Sequence, residues 1–277
     1  MAETMAPSGP GLRPGRLEDY PTFARLFVEL GVVDPPPPRE VWATELLPLS
    51  LIDEGPQGPR AYAVRDVMGE VGFVGQLVVD PAYRGQGVGR RIMEELARTF
   101  REQGCRRWAL NVKRDNAPAL GLYGSMGMKP TREATTLCVS QAHVEALPPA
   151  PPGLTVVPVT EQEWAPLTEA FRLLPLKLER LSKRASHQLL RLASQGEAEP
   201  WRLGMMDLRG GGVLFPFFAA SPGHARVLFE EALRRTGTQA PLHVVVMDDA
   251  PLTRLLRDAG APVDMEMLEL RGPLPGL

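Results

Sequence analysis

The chain has 277 residues, 44% of them hydrophobic and 23% charged, with a formal net charge of −2. That suits an ordinary globular protein of about two domains, and it excludes a general basic field for nucleic acid or an anionic membrane. The two cysteines and four scattered histidines exclude a disulfide framework and a metal site, and no apolar stretch approaches the ~20 residues of a membrane span, so a cytoplasmic protein is expected.

Residues 1–11 are small and polar, without a period, and are expected to be disordered. Residues 12–17 read as a first strand. Phe23, Leu26, Phe27 and Leu30 then recur at helical spacing, and Gly31 closes that helix. Prolines 35–38 form a stiff extended piece leading into a second helix over residues 41–47. Strands follow at 49–52, 60–68 and 70–79, separated by a proline turn at 56–59 and a tight turn at Gly69. An amphipathic helix carrying Val88, Ile92, Met93, Leu96 and Phe100 ends at Gly104. Trp108, Leu110 and Val112 alternate as a fifth strand. Asn116 can cap a short helix that has Pro118 in its first turn and runs to Met126, and residues 131–139 supply a last strand.

The chain's chemistry concentrates at residues 75–89, G-Q-L-V-V-D-P-A-Y-R-G-Q-G-V-G. A β-branched run breaks at Asp80-Pro81, and Gly85, Gly87 and Gly89 follow at alternate positions before the helix. Glycines let a backbone approach a ligand closely, and the first amides of a helix have no partner inside it. Together with the positive end of the helix dipole they make an anion site. Arg84, Arg90 and Arg91 flank that helix start, where cations are unfavourable unless an anion is expected. The stretch reads as a pyrophosphate cradle. A dinucleotide-binding fold would need G-x-G-x-x-G, whereas the third glycine here comes one residue early.

Arg84-Gly85-Gln86-Gly87-Val88-Gly89 resembles the R/Q-x-x-G-x-G/A signature of the GNAT acyltransferases, the Gcn5-related N-acetyltransferases. Leu77-x-Val79-x-Pro81 is similar to that family's strand-to-turn lead-in. The order β-α-α-β-β-β-α-β-α-β over residues 12–140 also matches the family. The resemblance implies an α/β fold, a mixed and mostly antiparallel sheet flanked by helices, with acetyl-CoA as cosubstrate. On this reading Leu77, Val78 and Val79 offer an extended backbone edge to the pantetheine amides. One amide of the strand also polarises the thioester carbonyl, and Arg84 to Arg90 hold the pyrophosphate. Asn116-x-x-Ala119-x-x-x-Tyr123-x-x-x-Gly127-Met128 is similar to a second family signature, with Met where the family has Phe. There the asparagine touches the cofactor and the tyrosine protonates the departing thiolate. By its own spacing Tyr123 also fits a core aromatic of an amphipathic helix. The resemblance further implies an acceptor pocket under residues 35–38 and the helix after them. The places where family members carry a general base hold Val74, Gly75 and Gln76, none of which accepts a proton.

Residues 146–153, A-L-P-P-A-P-P-G, read as a linker between domains at 12–145 and 154–277. The second half looks like a degraded copy of the first. Pro158 and Trp164 stand 144 positions after Pro14 and Tyr20. Strands are expected at 201–208, 213–219 and 242–247, with a helix over 226–235. Asp248-Asp249-Ala250-Pro251 echoes Asp115-Asn116-Ala117-Pro118. The copy lacks R-x-x-G-x-G and has Leu256 in the place of Tyr123, so its expected role is structural and one acetyl-CoA is expected per chain.

The expected function is acetyl transfer from acetyl-CoA to a small-molecule or peptide amine by direct attack, in a monomer or homodimer that uses no metal, nucleic acid or membrane. A non-catalytic acyl-CoA sensor and a pseudo-dimeric interaction protein are the alternatives. Turnover of amines separates the first from enzyme, and CoA binding separates the second.

Overall fold

The computed structural model describes residues 11–32, 35–194, 199–237 and 240–276. The expectation of disorder at residues 1–10 lies outside the described residues. The chain divides into two compact units. One holds the chain through Val112, Asn116–Lys129 and Leu270 onward; the other holds Lys113–Asp115 and Pro130–Glu269.

In the first unit β1 (Leu12–Pro14), β2 (Ser50–Gly55), β3 (Gly58–Met68) and β4 (Val71–Val79) pair antiparallel in chain order. The expected first strand is shorter than residues 12–17, because Leu17–Asp19 form a 3-10 turn. On one face of the sheet lie α1 (Tyr20–Phe27) and the short α2 (Arg39–Val41), which continues as helical turns to Leu49. Phe23, Leu26, Phe27 and Trp42 pack there on Ile52, Tyr62, Val64 and Val78. β5 (Arg107–Lys113) joins β4 in parallel, which requires a crossover, and α3 (Val88–Glu102) provides it. The buried stripe of α3, Val88, Ile92, Met93, Leu96, Ala97 and Phe100, recurs with the period of a helix lying on a sheet. Gly72 of β4 lets it lie close, since a Cβ there would fall 2.4 Å from the Phe100 ring. α4 (Ala117–Ser125) follows β5.

The second unit repeats this plan. Its elements are β6 (Lys129–Val139), α5 (Gln141–Glu145), β7 (Leu154–Pro158), α6 (Trp164–Ala170), α7 (Lys177–Ser182), β8 (His187–Ser194), β9 (Gly204–Arg209), β10 (Val213–Ala219), α8 (Pro222–Thr236), β11 (Leu242–Met247), α9 (Ala250–Asp258) and β12 (Val263–Pro273). Its sheet runs β6-β11-β10-β9-β8-β7, and of these neighbours only β10 and β11 are parallel. The strand expected over 201–208 starts later, because Pro200–Arg202 form a 3-10 turn. Both units are therefore mixed, mostly antiparallel sheets flanked by helices, as expected. Among the described residues no helix is long and apolar enough to cross a membrane.

The units are not divided at the proline-rich segment. β6, expected to close the first domain of residues 12–145, pairs with β11 from Leu242↔Val139 to Met247↔Ala134 and belongs to the second unit. In return the chain end, expected in the domain of residues 154–277, belongs to the first. There the Leu274 N–H donates to the Arg106 carbonyl at 2.9 Å, and a Cβ on Gly272 would stand 2.6 Å from the Gly127 carbonyl oxygen. Each sheet is completed by chain from the other half, and strand pairing rather than linker composition sets the boundary.

Candidate active site

β4 and β5 stay paired for only four positions, Val71↔Arg107 to Val74↔Leu110. Beyond Val74 the edge of β4 on that side is open. On the other side Val74 faces Arg65 and Gln76 faces Val64, so the register shifts and Gly75 stands as a one-residue bulge. The bulge re-aims the strand: Val78 turns to the α1 cluster, while Val79 turns to the start of α3. The Asp80 N–H donates to the Arg60 carbonyl of β3 at 2.8 Å. Backbone groups alternate along a strand, so Gln76 and Val78 also face β3, and Leu77 and Val79 face the open edge. The Val79 carbonyl accepts there from Arg84 Nε at 3.0 Å. Of Leu77, Val78 and Val79, the structure thus puts the backbone of two at the open edge. Val78 gives its 4%-exposed side chain to the core.

The turn after β4 is held by Asp80, whose carboxylate accepts from the Ala82 N–H at 3.0 Å and pairs with Arg25 at 2.7 Å. Those two partners, the amide first, lower its pKa below the usual carboxylate range. Gly85 and Gly87 have φ of 73° and 76°, a left-handed conformation that an L side chain resists, and Gly87 is the residue on which α3 starts. None of the N–H groups from Gly85 to Arg90 has a hydrogen-bond partner among the described residues; the Arg91 N–H is the first to turn back, to the Gly87 carbonyl at 3.1 Å. Six consecutive amides at the positive end of a fifteen-residue helix are therefore free. A Cβ on Gly89 would lie 3.4 Å from Leu122 Cδ2 and 3.8 Å from Val79 Cγ2, so the helix start, the end of β4 and α4 converge. Arg90 donates to Ser125 Oγ at 2.8 Å, fastening α3 to α4, and Gln86 Nε2 donates to the Ala82 carbonyl at 3.0 Å. Arg84 and Arg90 thus brace the site.

Asn116 caps α4 by accepting from the Ala119 N–H at 3.2 Å, which commits its side-chain oxygen to the helix. Two turns on, Tyr123 is 7% exposed, and its hydroxyl has no hydrogen-bond partner among the described residues. Burial alone pushes its pKa up to about 12, so the phenol is protonated at neutral pH. The open strand edge and the nest of amides thus converge with α4, the helix that carries the protonated Tyr123 phenol. Sequence reasoning missed the bulge at Gly75, which depends on the register of β3, and the contacts from α1.

Residues 50–128, which carry every one of these groups, match the Acetyltransferase (GNAT) family. Over that stretch the chain is similar to the GNAT acetyltransferases. A stretch of 67 residues is 34% identical to the ribosomal protein bS18-alanine N-acetyltransferase of Escherichia coli K12, covering 24% of this chain and 45% of that enzyme. The chain spans less than half the length of the curated relatives it matches. Over 96% of both chains the fold is similar to a GCN5-related N-acetyltransferase from Sphaerobacter thermophilus, with a TM-score of 0.65 and 18% identity. A tandem GNAT protein from the clavulanic acid biosynthesis pathway is similar over 94% of this chain and 95% of its own, with a TM-score of 0.61 and 14% identity. Those two likenesses speak for the fold of both units.

The second GNAT-like unit closes the corresponding places. β10 and β11 are still paired at Phe217↔Val246, beyond a register shift, and Phe217 stacks on Phe229 of α8 with ring centroids 4.6 Å apart. At the start of α8 a Cβ on Gly223 would stand 2.7 Å from the Pro149 carbonyl oxygen, so the proline-rich segment covers that helix end. Arg226 holds the segment in place by donating to the Leu147 carbonyl at 3.0 Å. Leu256 is fully buried in the core.

Proposed function

We propose that the first unit is an acetyl-CoA-dependent N-acetyltransferase that moves an acetyl group to an amine, and that the second unit has a structural role. The convergence of the open β4 edge and the six free amides with α4, the helix of Tyr123, carries this reading. Free amides at glycines of positive φ suit a pyrophosphate, because they offer donors without side chains in the way. Acetyl-CoA supplies an activated acyl thioester. Gly85 to Arg90 hold its diphosphate, and the backbone of Leu77 and Val79 lines its pantetheine arm. One open-edge N–H of β4 stabilises negative charge on the carbonyl oxygen. Tyr123 Oη–H gives its proton to the departing sulfur and regains one from solvent. Val74, Gly75 and Gln76 offer no base, so the amine is attacking in its neutral form and its proton leaves to water. Titration calorimetry with CoA, followed by thiol release on a panel of small-molecule and peptide amines, tests the proposal. One CoA per chain and thiol release with at least one amine are expected; CoA binding with no release on any amine would instead favour an acyl-CoA sensor.

A further inference from the structure

Arg84 opens the glycine signature, yet its side chain does not reach toward the free amides. It folds back along β4, where Nε donates to the Val79 carbonyl at 3.0 Å and Nη2 pairs with Glu29 at 2.8 Å. Glu29 lies in the 3-10 turn Val28–Leu30 that continues α1. One turn earlier, Arg25 of α1 pairs with Asp80 at 2.7 Å. Residues 25 and 29 are one helical turn apart and of opposite charge, and so meet Asp80 and Arg84, which are also four apart and opposite. Two ion pairs of reversed polarity thus fasten α1 to the cradle loop.

The pairs differ in how firmly the loop partner is held. Asp80 also caps the Ala82 N–H, so the Arg25 pair has an anchored acceptor. Arg84 and Glu29 are 51% and 36% exposed, and Arg84 sits immediately before the six free amides. A guanidinium in that position has two competing anions, the carboxylate of Glu29 and any diphosphate on the amides, and the diphosphate has the greater charge and accepts bidentate bonds. While Arg84 stays with Glu29, it also occupies the Val79 carbonyl, one of the open-edge groups that would meet an incoming pantetheine amide.

We propose that Glu29 is a positioning residue that holds Arg84 latched over Val79 until CoA arrives, and that the diphosphate then takes Arg84 from Glu29. The exchange clears the Val79 carbonyl and releases the end of α1 from the loop. It rests on the reading of Gly85–Arg90 as the diphosphate site. Glu29 therefore sets cofactor affinity through Arg84, without touching the cofactor.

Calorimetric titration of the full chain with CoA, at one low ionic strength, tests this in a double-mutant cycle. Glu29→Gln is expected to tighten CoA binding by about twofold to fivefold, the range an exposed ion pair is worth. In an Arg84→Ala background the same substitution is expected to change the dissociation constant by less than about 1.5-fold. S-acetylpantetheine, which has no diphosphate, gives an opposite sign: Arg84→Ala should weaken CoA but strengthen this fragment by unblocking Val79. An equal Glu29→Gln effect in both backgrounds would mean simple repulsion between Glu29 and the diphosphate, and would overturn the latch. CoA binding that ignores Glu29 would overturn it while leaving the site reading intact. No CoA binding by any variant would overturn the site reading itself.

Discussion

The same structural step occurs twice in this chain, a strand running into a long helix, and it ends in two ways. After β4 the neighbouring strand departs at Val74, the helix starts on a left-handed glycine, and six amides stay free. After β10 the neighbouring strand stays paired to Phe217, Ser221 caps the helix start, and the Pro149 carbonyl lies against Gly223. Both units bury a full core and present the same order of elements. The fold tolerates either ending, because the site is made from backbone groups that the core does not use. What separates a cleft from a closed wall is where one strand pair stops and what lies over one helix start.

The largest expected effect breaks the comparison at Tyr123, whose counterpart is Leu256. Tyr123→Phe keeps the ring and its packing but removes the proton donor. Single-turnover acetyl transfer should fall by about 10²–10⁴-fold, with the CoA dissociation constant changed less than about threefold. A single-turnover rate within about threefold of the parent chain would make Tyr123 a packing residue.

A matched pair at the two helix starts comes next. Gly87→Glu puts a strained, negatively charged side chain at φ 76° among the free amides, so CoA affinity should drop by about 100-fold or more, alongside a stability loss of about 1–2 kcal/mol from the strain. Gly223→Ala should cost stability alone. Its Cβ would meet the Pro149 carbonyl oxygen at 2.7 Å, so thermal unfolding should report a loss of about 1–3 kcal/mol with CoA affinity unchanged. If Gly223→Ala altered CoA binding, or if calorimetry found two CoA per chain, the second unit would not be the closed copy described here.

The smallest expected effect is on the pH profile. Burial raises the Tyr123 pKa to about 12, above the ordinary value near 10, which means that the folded state retains the proton. The stability this contributes is fully present below about pH 10 and is lost as pH rises through about 12. The rate should therefore climb as the amine deprotonates and show no descending limb below about pH 11. A fall between pH 8 and 10, absent in Tyr123→Phe, would place the working phenol in a wetter and more acidic setting.

Local features of the site were legible in the sequence because their causes are local. Glycines at alternate positions before a helical period announce positive φ and a free helix start, and Asn116 followed by Pro118 announces a capped turn. Other features depend on partners far along the chain. The bulge at Gly75 exists only in register with Val64 and Arg65, and the choice of Leu77 and Val79 over Val78 follows from the Arg60 carbonyl. Arg84 carries the family signature, but its bond to Glu29 spans 55 positions, and no periodicity reports it.

By itself the sequence determined two successive copies of one α/β plan, the glycine-lined helix start in the first and its loss in the second. These follow from conformational preference and side-chain period, which act within a few residues. The tertiary structure alone decided that β6 completes the second sheet and that the chain from Leu270 returns to the first. It alone decided that the proline-rich segment covers α8, a role that composition reads only as a linker. Strand exchange of this kind leaves the local pattern unchanged, since either placement gives each strand the same alternation of buried and exposed faces. Only the competition between partners for the same backbone hydrogen bonds distinguishes them, and that is settled across the whole chain.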